Sequence, residues 1–570
     1  MTESISTLSK KLQEKYNITP TTSFADLVKR KAEISGDKVF LTFIRDFDKG
    51  IDEKYTYRDM YLQSNRFSNA LQKLGINRGE GLSLYQINSP EFLFVLFGAW
   101  KIGNYVVLVN TGLKGEGLQY IIDHSDSKIL VLNWTLIENY LNIKDQLPKI
   151  QHVIVDTNEA PADFKLPEGI LSLQKLMNDA SEDDPKVDIR PDDMLTLMYT
   201  SGTTGLPKAT TFFQRGVYGI ALLGVLLWSL RWSSPGAKLY TCLPLFHGNA
   251  LQLCTMPGYY AEIPVVLSKR FSASRFWDIV RKYEITTFNT LGSMPQYLMK
   301  QPERPNDKDH KVRVVSSAAA PKEIVRAFEE RFNVKLHEGY GAVDGGSFAL
   351  GTDGDPNAPV GSMGKSAPGI IAEIMDDEMN ILGPNETGEL VFLVKKEEEE
   401  MRKVTYYKNP EASASRIQVA PDGRSWFLTG DLATKDENGW FFFVDRKKDS
   451  IRRRGENIAA WSIERAINGH DKVLESAAYG IKGHQVGEDY AEDEVMVAVV
   501  LQPGQTMTPE ELLDFLQDKL AYFQIPRFID FVDELPKSKV HRIMKRFLKE
   551  RGVVGTTYDR EKAGYEIKRM

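Results

Sequence analysis

Short apolar runs of five or six residues alternate with amphipathic stretches through most of this chain, and that alternation restricts the fold more than any other feature. Lys128–Leu132 (KILVL), His152–Asp156 (HVIVD) and Met194–Tyr199 (MLTLMY) are too short for helices and rich in apolar side chains, so each reads as a buried strand. Helical patterns fall between and after them, as at Arg275–Lys282 and Lys322–Phe332. Strands buried on both faces require helices to cover them, which predicts an α/β fold with mixed, largely parallel sheets. A chain of 570 residues exceeds what one hydrophobic core supports, so more than one domain is expected. No internal repeat of fixed period is visible.

The pattern changes near residue 445. The aromatic strand Trp440–Val444 gives way to DRKKD (Asp445–Asp449) and then to IRRRGEN (Ile451–Asn457). Beyond lie a helix from Ser462, strands near Glu475–Ile481 and Glu494–Leu501, a helix from Pro509 and a basic C-terminal helix. That set is compact enough for a small α+β domain beginning around Ser450, after a large N-terminal domain over 1–444.

Several function classes are disfavoured. With 72 Lys and Arg against 78 Asp and Glu, the net charge of -6 supplies no basic field for nucleic acid. The segment Gly216–Leu230 (GVYGIALLGVLLWSL) is uncharged but too short to cross a bilayer, so a buried helix is expected, with at most peripheral membrane contact. The first twenty residues carry no apolar signal core, and Cys242 and Cys254 have no metal-ligand companions nearby. These features predict a soluble protein of the reducing cytoplasm. The charge run Lys395–Lys403 reads as a solvated loop.

The most specific local signal is YTSGTTGLPKAT (Tyr199–Thr210), directly after a buried strand. Gly202 and Gly205 let the backbone turn tightly and bring its N–H groups to an anion. Thr200, Ser201, Thr203 and Thr204 add hydroxyl donors, and Lys208 adds a charge. No glycine stands directly before Lys208, so this is not the loop of the P-loop NTPases.

This run resembles the signature of the adenylate-forming superfamily, which comprises acyl-CoA synthetases, luciferases and peptide-synthetase adenylation domains. Further segments resemble its other motifs in order and spacing: CLPLFHG (Cys242–Gly248), SSAAAP (Ser316–Pro321), EGYGAVD (Glu338–Asp344), GEL (Gly388–Leu390), TGDL (Thr429–Leu432) and Asp445–Asn457. The resemblance spans about residues 25 to 550, and NSPEFLFVLFGAWKIGNYVVLVNTGLKGEGL (Asn88–Leu118) and RRRGEN look most like fatty-acid-transport-protein and crotonobetaine/carnitine-CoA ligase relatives. It implies an enzyme that uses ATP and Mg2+ to convert a carboxylic acid, such as a fatty or betaine-like acid, into an acyl-adenylate. The thiol of coenzyme A then displaces AMP. Dimers are common in the family. An acyl-AMP former serving a carrier-protein thiol, or a catalytically weak nucleotide-binding relative, are the rival readings.

The resemblance also implies roles by position. Ala318, Ala319, Ala320, Pro321, Glu338, Gly339, Tyr340 and Gly341 would surround the nucleotide, with Tyr340 stacking on adenine. Asp431 would accept hydrogen bonds from ribose hydroxyls, although an Asp after Gly430 also suits a plain turn. Arg446 would contact the nucleotide, Lys448 in segment 445–449 would be the hinge, and Gly455 and Glu456 would approach the pantetheine channel. Arg452, Arg453 and Arg454 suit either coenzyme A phosphates or a solvated surface. His247 would gate the acyl site, with Gly292 and Met294 beside it. Thr200 and Asp344 would share catalysis and the metal, with Asp344 one methylene shorter than the family's glutamate and Val343 replacing a threonine. In PKSKVHR (Pro536–Arg542), Arg542 stands where the family has a catalytic lysine.

Overall fold

The computed structural model describes residues 5–200, 206–216, 236–292, 294–320, 322–344, 347–394, 406–446, 450–454, 456–483, 492–536 and 543–567. The segments read above as a buried apolar helix (apart from Gly216) and as a charged loop lie outside them. Among the described residues, no helix is long and apolar enough to cross a membrane.

One sheet of the large N-terminal domain runs Leu171–Ser172, His152–Asp156, Ser127–Asn133, Gly81–Tyr85, Tyr105–Leu108, Met194–Thr200 and Lys208–Phe213. Its strands are parallel until the last, which is antiparallel. A second sheet runs Lys365–Ser366, Ser347–Gly351, Lys335–Ala342, Val314–Ala318, Thr287–Leu291, Leu239–Thr241, Val265–Ser268, Val39–Asp46 and Ile51–Thr56. Its six central strands are parallel and its ends antiparallel. The apolar runs at Lys128, His152 and Met194 thus form strands buried within the first sheet, as their composition requires.

The two sheets share a core whose centre is the helix Pro90–Lys101 (PEFLFVLFGAWK), apolar on every side and buried along its whole length. Ser89 caps it by accepting from the Phe92 N–H, and Pro90 occupies the first turn, where no N–H is needed. At Gly98 a β-carbon would lie 2.7 Å from the Ser64 carbonyl oxygen, so a glycine is what lets the helix Tyr57–Lys73 pack this closely. Lys101, 1% exposed, ends the buried helix against Asp184 at 3.0 Å. Burial lowers its ammonium to about 8, with Asp184 acting against that fall.

A third, antiparallel sheet joins Ala372–Met375, Gly388–Val394, Ser425–Lys435, Ile417–Val419 and Phe441–Arg446. The small C-terminal domain has its own sheet, Val473–Lys482, Asp493–Leu501, Phe528–Phe531 and Tyr558–Asp559, packed on the helices Ala460–Asn468 and Pro509–Gln517.

A hairpin, Ser450–Arg453 with Glu456–Ala459, projects from this small domain, and Arg454 takes a left-handed φ of 55° at its turn. Arg453 anchors it. Its guanidinium is 1% exposed, lies 2.7 Å from Glu494 (4% exposed) and donates to the carbonyls of Phe523 and Ile525. Burial lowers Arg453 to about 10, with Glu494 opposing, so it stays charged at neutral pH. The expectation that Arg453 is free to attract coenzyme A phosphates is therefore corrected: its charge is spent inside the domain. Removing one partner of such a pair leaves the other buried and uncompensated. Arg453→Met should lower stability by about 3–5 kcal/mol in urea unfolding followed by circular dichroism, and adding Glu494→Leu should restore part of the loss.

Candidate active site between the domains

The phosphate-loop signature occupies a hairpin connection. Met194–Thr200 pairs antiparallel with Lys208–Phe213, and Thr200 faces Lys208 across the register. A strand therefore follows the loop, where a helix would follow a P-loop, because Lys208–Phe213 (KATTFF) is rich in β-branched and aromatic side chains. Ser201, Gly202, Thr203, Thr204 and Gly205 lie outside the described residues. The Lys208 ammonium lies 5.3 Å from the centre of the Tyr406 ring.

Thr200 borders a cavity of about 830 Å³ between the two domains. The large domain contributes Asn110, Tyr199, Phe246, His247 and Val343 to its wall, and the small domain contributes Glu456, Ser462, Arg465, Lys519 and Phe523. His247 ends a turn, its N–H donating to the Pro244 carbonyl, and starts the helix that begins at Gly248. Asn110 follows the strand Tyr105–Leu108 and accepts from the Gly112 N–H at 2.9 Å. At Gly112 a β-carbon would meet the Phe523 ring of the small domain at 2.7 Å, so the domains touch closely here.

The hairpin delivers Glu456 to this wall. One carboxylate oxygen accepts from Asn110 Nδ2 at 3.0 Å, and the other lies 2.9 Å from His247 Nε2. Burial pushes the His247 imidazole down, but the Glu456 charge and hydrogen bond outweigh it, leaving the ring raised above its ordinary 6.5. His247 keeps 32% of its side-chain surface, on the cavity. A raised histidine stabilises the docked arrangement fully below the ordinary value, and that contribution fades as pH climbs through the raised one.

Where the resemblance places the nucleotide, the Tyr340 hydroxyl donates to Asp431 Oδ2 at 2.6 Å, so these two predicted residues meet. Asp431 is buried, and its N–H donates to Thr429 Oγ1. Arg446 is its cross-strand partner by register, and the Arg446 side chain lies outside the described residues. Gly339 and Gly341 flank Tyr340 on the same strand, Lys335–Ala342. Glu338 accepts from the Ala320 N–H at 3.3 Å, and burial raises its carboxyl to about 7, against hydrogen bonds from Ser317, Ala319 and Ala320. Ala318 closes the neighbouring strand, and Ala319 sits at a left-handed φ of 60°, a strained conformation for alanine at the turn beside Glu338. Pro321 lies outside the described residues.

Asp344 is not a bare metal ligand. Its Oδ2 is ion-paired with Arg416 and accepts from the Tyr406 hydroxyl at 2.5 Å, while Arg416 Nε donates to that hydroxyl at 2.8 Å. Among the described residues no group of three or more metal-ligating side chains occurs. Mg2+ keeps several waters and is held through one or two carboxylates plus substrate phosphates, so the carboxylate to test is Asp344. Oδ1 of Asp344 takes no part in the Arg416 and Tyr406 contacts, so one oxygen of the predicted ligand fits.

Gly292 and Met294 differ from expectation. At Gly292 a β-carbon would collide with the Glu492 carboxylate of the small domain, and Met294 is packed in the core with Phe276, Trp277 and Phe288; neither lines the cavity. Lys545, basic like Arg542, is held at 2.8 Å by Glu464. Glu464 lies on the side of helix Ala460–Asn468 opposite Ser462 and Ala466, which face the cavity. Lys448, Gly455 and Arg542 lie outside the described residues. Sequence reading missed Asn110, Tyr406 and Arg416; only Tyr406 had a local cue, the run YYKNPEA at 406–412.

Residues 28–394 match the model of the AMP-binding enzyme family, and residues 462–542 match that of the AMP-binding enzyme C-terminal domain. A crotonobetaine/carnitine–CoA ligase of Salmonella choleraesuis (strain SC-B67) is 31% identical over 534 residues, 91% of this chain and 97% of that protein. Among solved structures, the o-succinylbenzoate CoA synthetase of Bacillus subtilis with a bound product analogue is 21% identical, with a TM-score of 0.75 over 93% of this chain and 99% of that one. The same enzyme with its acyl-adenylate intermediate has a TM-score of 0.62, also at 21% identity, covering 93% and 99%.

Glu456→Gln should drop the titration of His247 below the ordinary imidazole value, because burial persists without the carboxylate. Histidine NMR reads this, with the His247→Asn spectrum assigning the resonance; an unmoved titration would refute the pairing.

Proposed function

The chain belongs to the AMP-binding enzyme family and is an ATP-dependent acyl-CoA ligase working through an acyl-adenylate; we propose that its substrate is a small-molecule carboxylic acid and that the residues lining the interdomain cavity serve its second half-reaction. The observation that carries this is the meeting of Thr200, His247 and Glu456, from three distant parts of the chain, on one cavity wall.

A carboxylate is a poor acyl donor because its leaving group would be oxide. In the first half-reaction a carboxylate oxygen attacks the α-phosphorus of ATP, and pyrophosphate departs. The backbone N–H groups and hydroxyls of 200–205, with Lys208, suit the triphosphate; Tyr340 and Asp431 suit adenine and ribose. Asp344 and Thr200 would hold Mg2+, which neutralises phosphate charge when bound. Arg542 would bring a cation to the reacting groups.

In the second half-reaction the coenzyme A thiol attacks the acyl carbonyl and AMP leaves. The cavity offers the pantetheine arm a route past Asn110 and Phe523 to His247, and Glu456 orients the imidazole. The Glu456 hairpin fills this wall while Lys545 points away from it, which supports an arrangement suited to thioester formation. The greater likeness to the product-analogue complex than to the adenylate complex supports the same reading. Turning the small domain about 445–449, with Lys448 as pivot, would exchange this face for the one bearing Arg542. A reducing cytosol suits the two buried free thiols, Cys242 and Cys254.

Two tests follow. Pyrophosphate release with ATP, Mg2+ and a panel of fatty, betaine-like and aryl acids should depend on one acid class, with thioester forming only when coenzyme A is present. Release without thioester would indicate a carrier-protein acceptor, and ATP binding without release under any acid would indicate a binding protein. Separately, Arg542→Ala should suppress acyl-AMP formation more than thioester formation from supplied acyl-AMP, by about 100-fold or more. Glu456→Gln and Asn110→Ala should do the reverse, and equal losses in both half-reactions would remove the division of labour.

A further inference from the structure

One face of one helix grips the chain on both sides of the phosphate-loop signature. Gly115–His124 (GEGLQYIIDH) packs on the first sheet through Leu118, Ile121 and Ile122. Tyr120 and His124, four residues apart, share its opposite face with their rings stacked at 5.1 Å between centres. The Tyr120 hydroxyl donates to the Pro207 carbonyl at 3.2 Å. His124 Nδ1 lies 2.8 Å from the Tyr199 hydroxyl, which also reaches the Ile121 carbonyl at 3.4 Å.

These polar contacts do what the sheet does not. The ladder between Met194–Thr200 and Lys208–Phe213 ends at the Thr200–Lys208 pair, so it places nothing beyond that pair. Pro207 has no N–H, which leaves its carbonyl as its only backbone hydrogen-bonding group, and Tyr120 takes it. Tyr199 and Thr200 leave opposite faces of their strand, so anchoring Tyr199 to the helix fixes the direction in which Thr200 points. On the neighbouring strand, the Tyr407 N–H donates to the Ala209 carbonyl, and Lys408 donates to the His124 carbonyl at 2.9 Å. Burial and the Lys408 charge lower the His124 imidazole below its ordinary 6.5, so at neutral pH it meets the Tyr199 hydroxyl uncharged.

Ile121, Tyr199, Thr200 and Pro207 border the interdomain cavity, and Tyr120 and His124 touch it only through them. The first turn of the same helix is fixed separately, by Glu116 pairing with Arg465 of the small domain at 2.6 Å. Resting on the phosphate-loop reading above, we propose that Tyr120 and His124 are positioning residues for the first half-reaction. Acting through Pro207 and Tyr199, they set Lys208 and Thr200 against the triphosphate of ATP.

The test measures binding of ATP with Mg2+, and of AMP, to the full-length protein by isothermal titration calorimetry in the absence of any acid. AMP lacks the two phosphates that the loop would hold, so it reports the rest of the nucleotide site. Tyr120→Phe and His124→Leu should each weaken ATP by about 5- to 10-fold, the net worth of one hydrogen bond, and leave AMP unchanged. His124→Asn, which keeps a hydrogen-bonding group near the place of Nδ1, should bind ATP as the wild type does. Tyr120→Phe removes a single oxygen and carries the test alone should the leucine disturb folding. Equal weakening of ATP and AMP would show a merely structural role and overturn the proposal. Unchanged ATP binding in both Tyr120→Phe and His124→Leu overturns it too, as does an asparagine variant no better than the leucine one. Wild-type protein that binds ATP no more tightly than AMP refutes the phosphate-loop reading, and this proposal with it.

Discussion

Glu456 is held at one carboxylate oxygen by Asn110 and approaches His247 with the other, so two parts of the large domain grip one side chain of the small one. The grip is only as firm as the hairpin behind it. Arg453, three residues earlier, fastens that hairpin to its own domain through Glu494 and two backbone carbonyls. The order of dependence is therefore internal to external: a buried ion pair shapes the hairpin, the hairpin aims a carboxylate, and the carboxylate raises the titration of an imidazole bordering the cavity. Two ionic contacts of opposite character carry it. The first is sealed from water. The second borders a cavity and includes the one side chain type that titrates near neutrality.

The cluster around Tyr340 and Asp431 is built differently, from one domain alone. Tyr340, Asp431 and Glu338 sit on strands whose register is set by the sheets they belong to; the Tyr340 hydroxyl donates to Asp431, and Glu338 accepts from the Ala320 N–H. Asp344 is likewise preoccupied by Arg416 and Tyr406. A site whose acids are paired in advance avoids naked carboxylates facing an incoming triphosphate, and it asks the ligand to compete for oxygens that are already hydrogen-bonded.

Much of this was legible in the sequence. His152–Asp156 is a strand with the bounds its composition suggests, and the small domain's strands and helices fall within a few residues of their expected places. The helix expected from Lys322 begins at Val325, and Lys208–Phe213, left unassigned by the motif, is a strand, as its β-branched and aromatic residues favour. Motif spacing could bring Tyr340 and Asp431 to one site, since the family pattern contains both. It could not reveal that Arg453 is buried and its neighbours less so, because that depends on a strand forty residues later. Asn110 and Arg416 were equally silent, being single polar residues whose importance lies in what folds against them. Nor could the motif show that the space beside the Gly292 α-carbon holds a carboxylate of a different domain.

That space has a mechanical meaning. Glu492 reaches from the small domain into the notch left by the missing side chain at 292, and it is steadied there by the Arg454 N–H at 2.8 Å. A notch and a tooth of this kind act as a detent. They add little to the strength of either domain, yet they make one relative orientation distinguishable from its neighbours by fit. Any side chain at 292, however small, would act as a wedge, tilting the balance between domain orientations without touching a single atom involved in bond making.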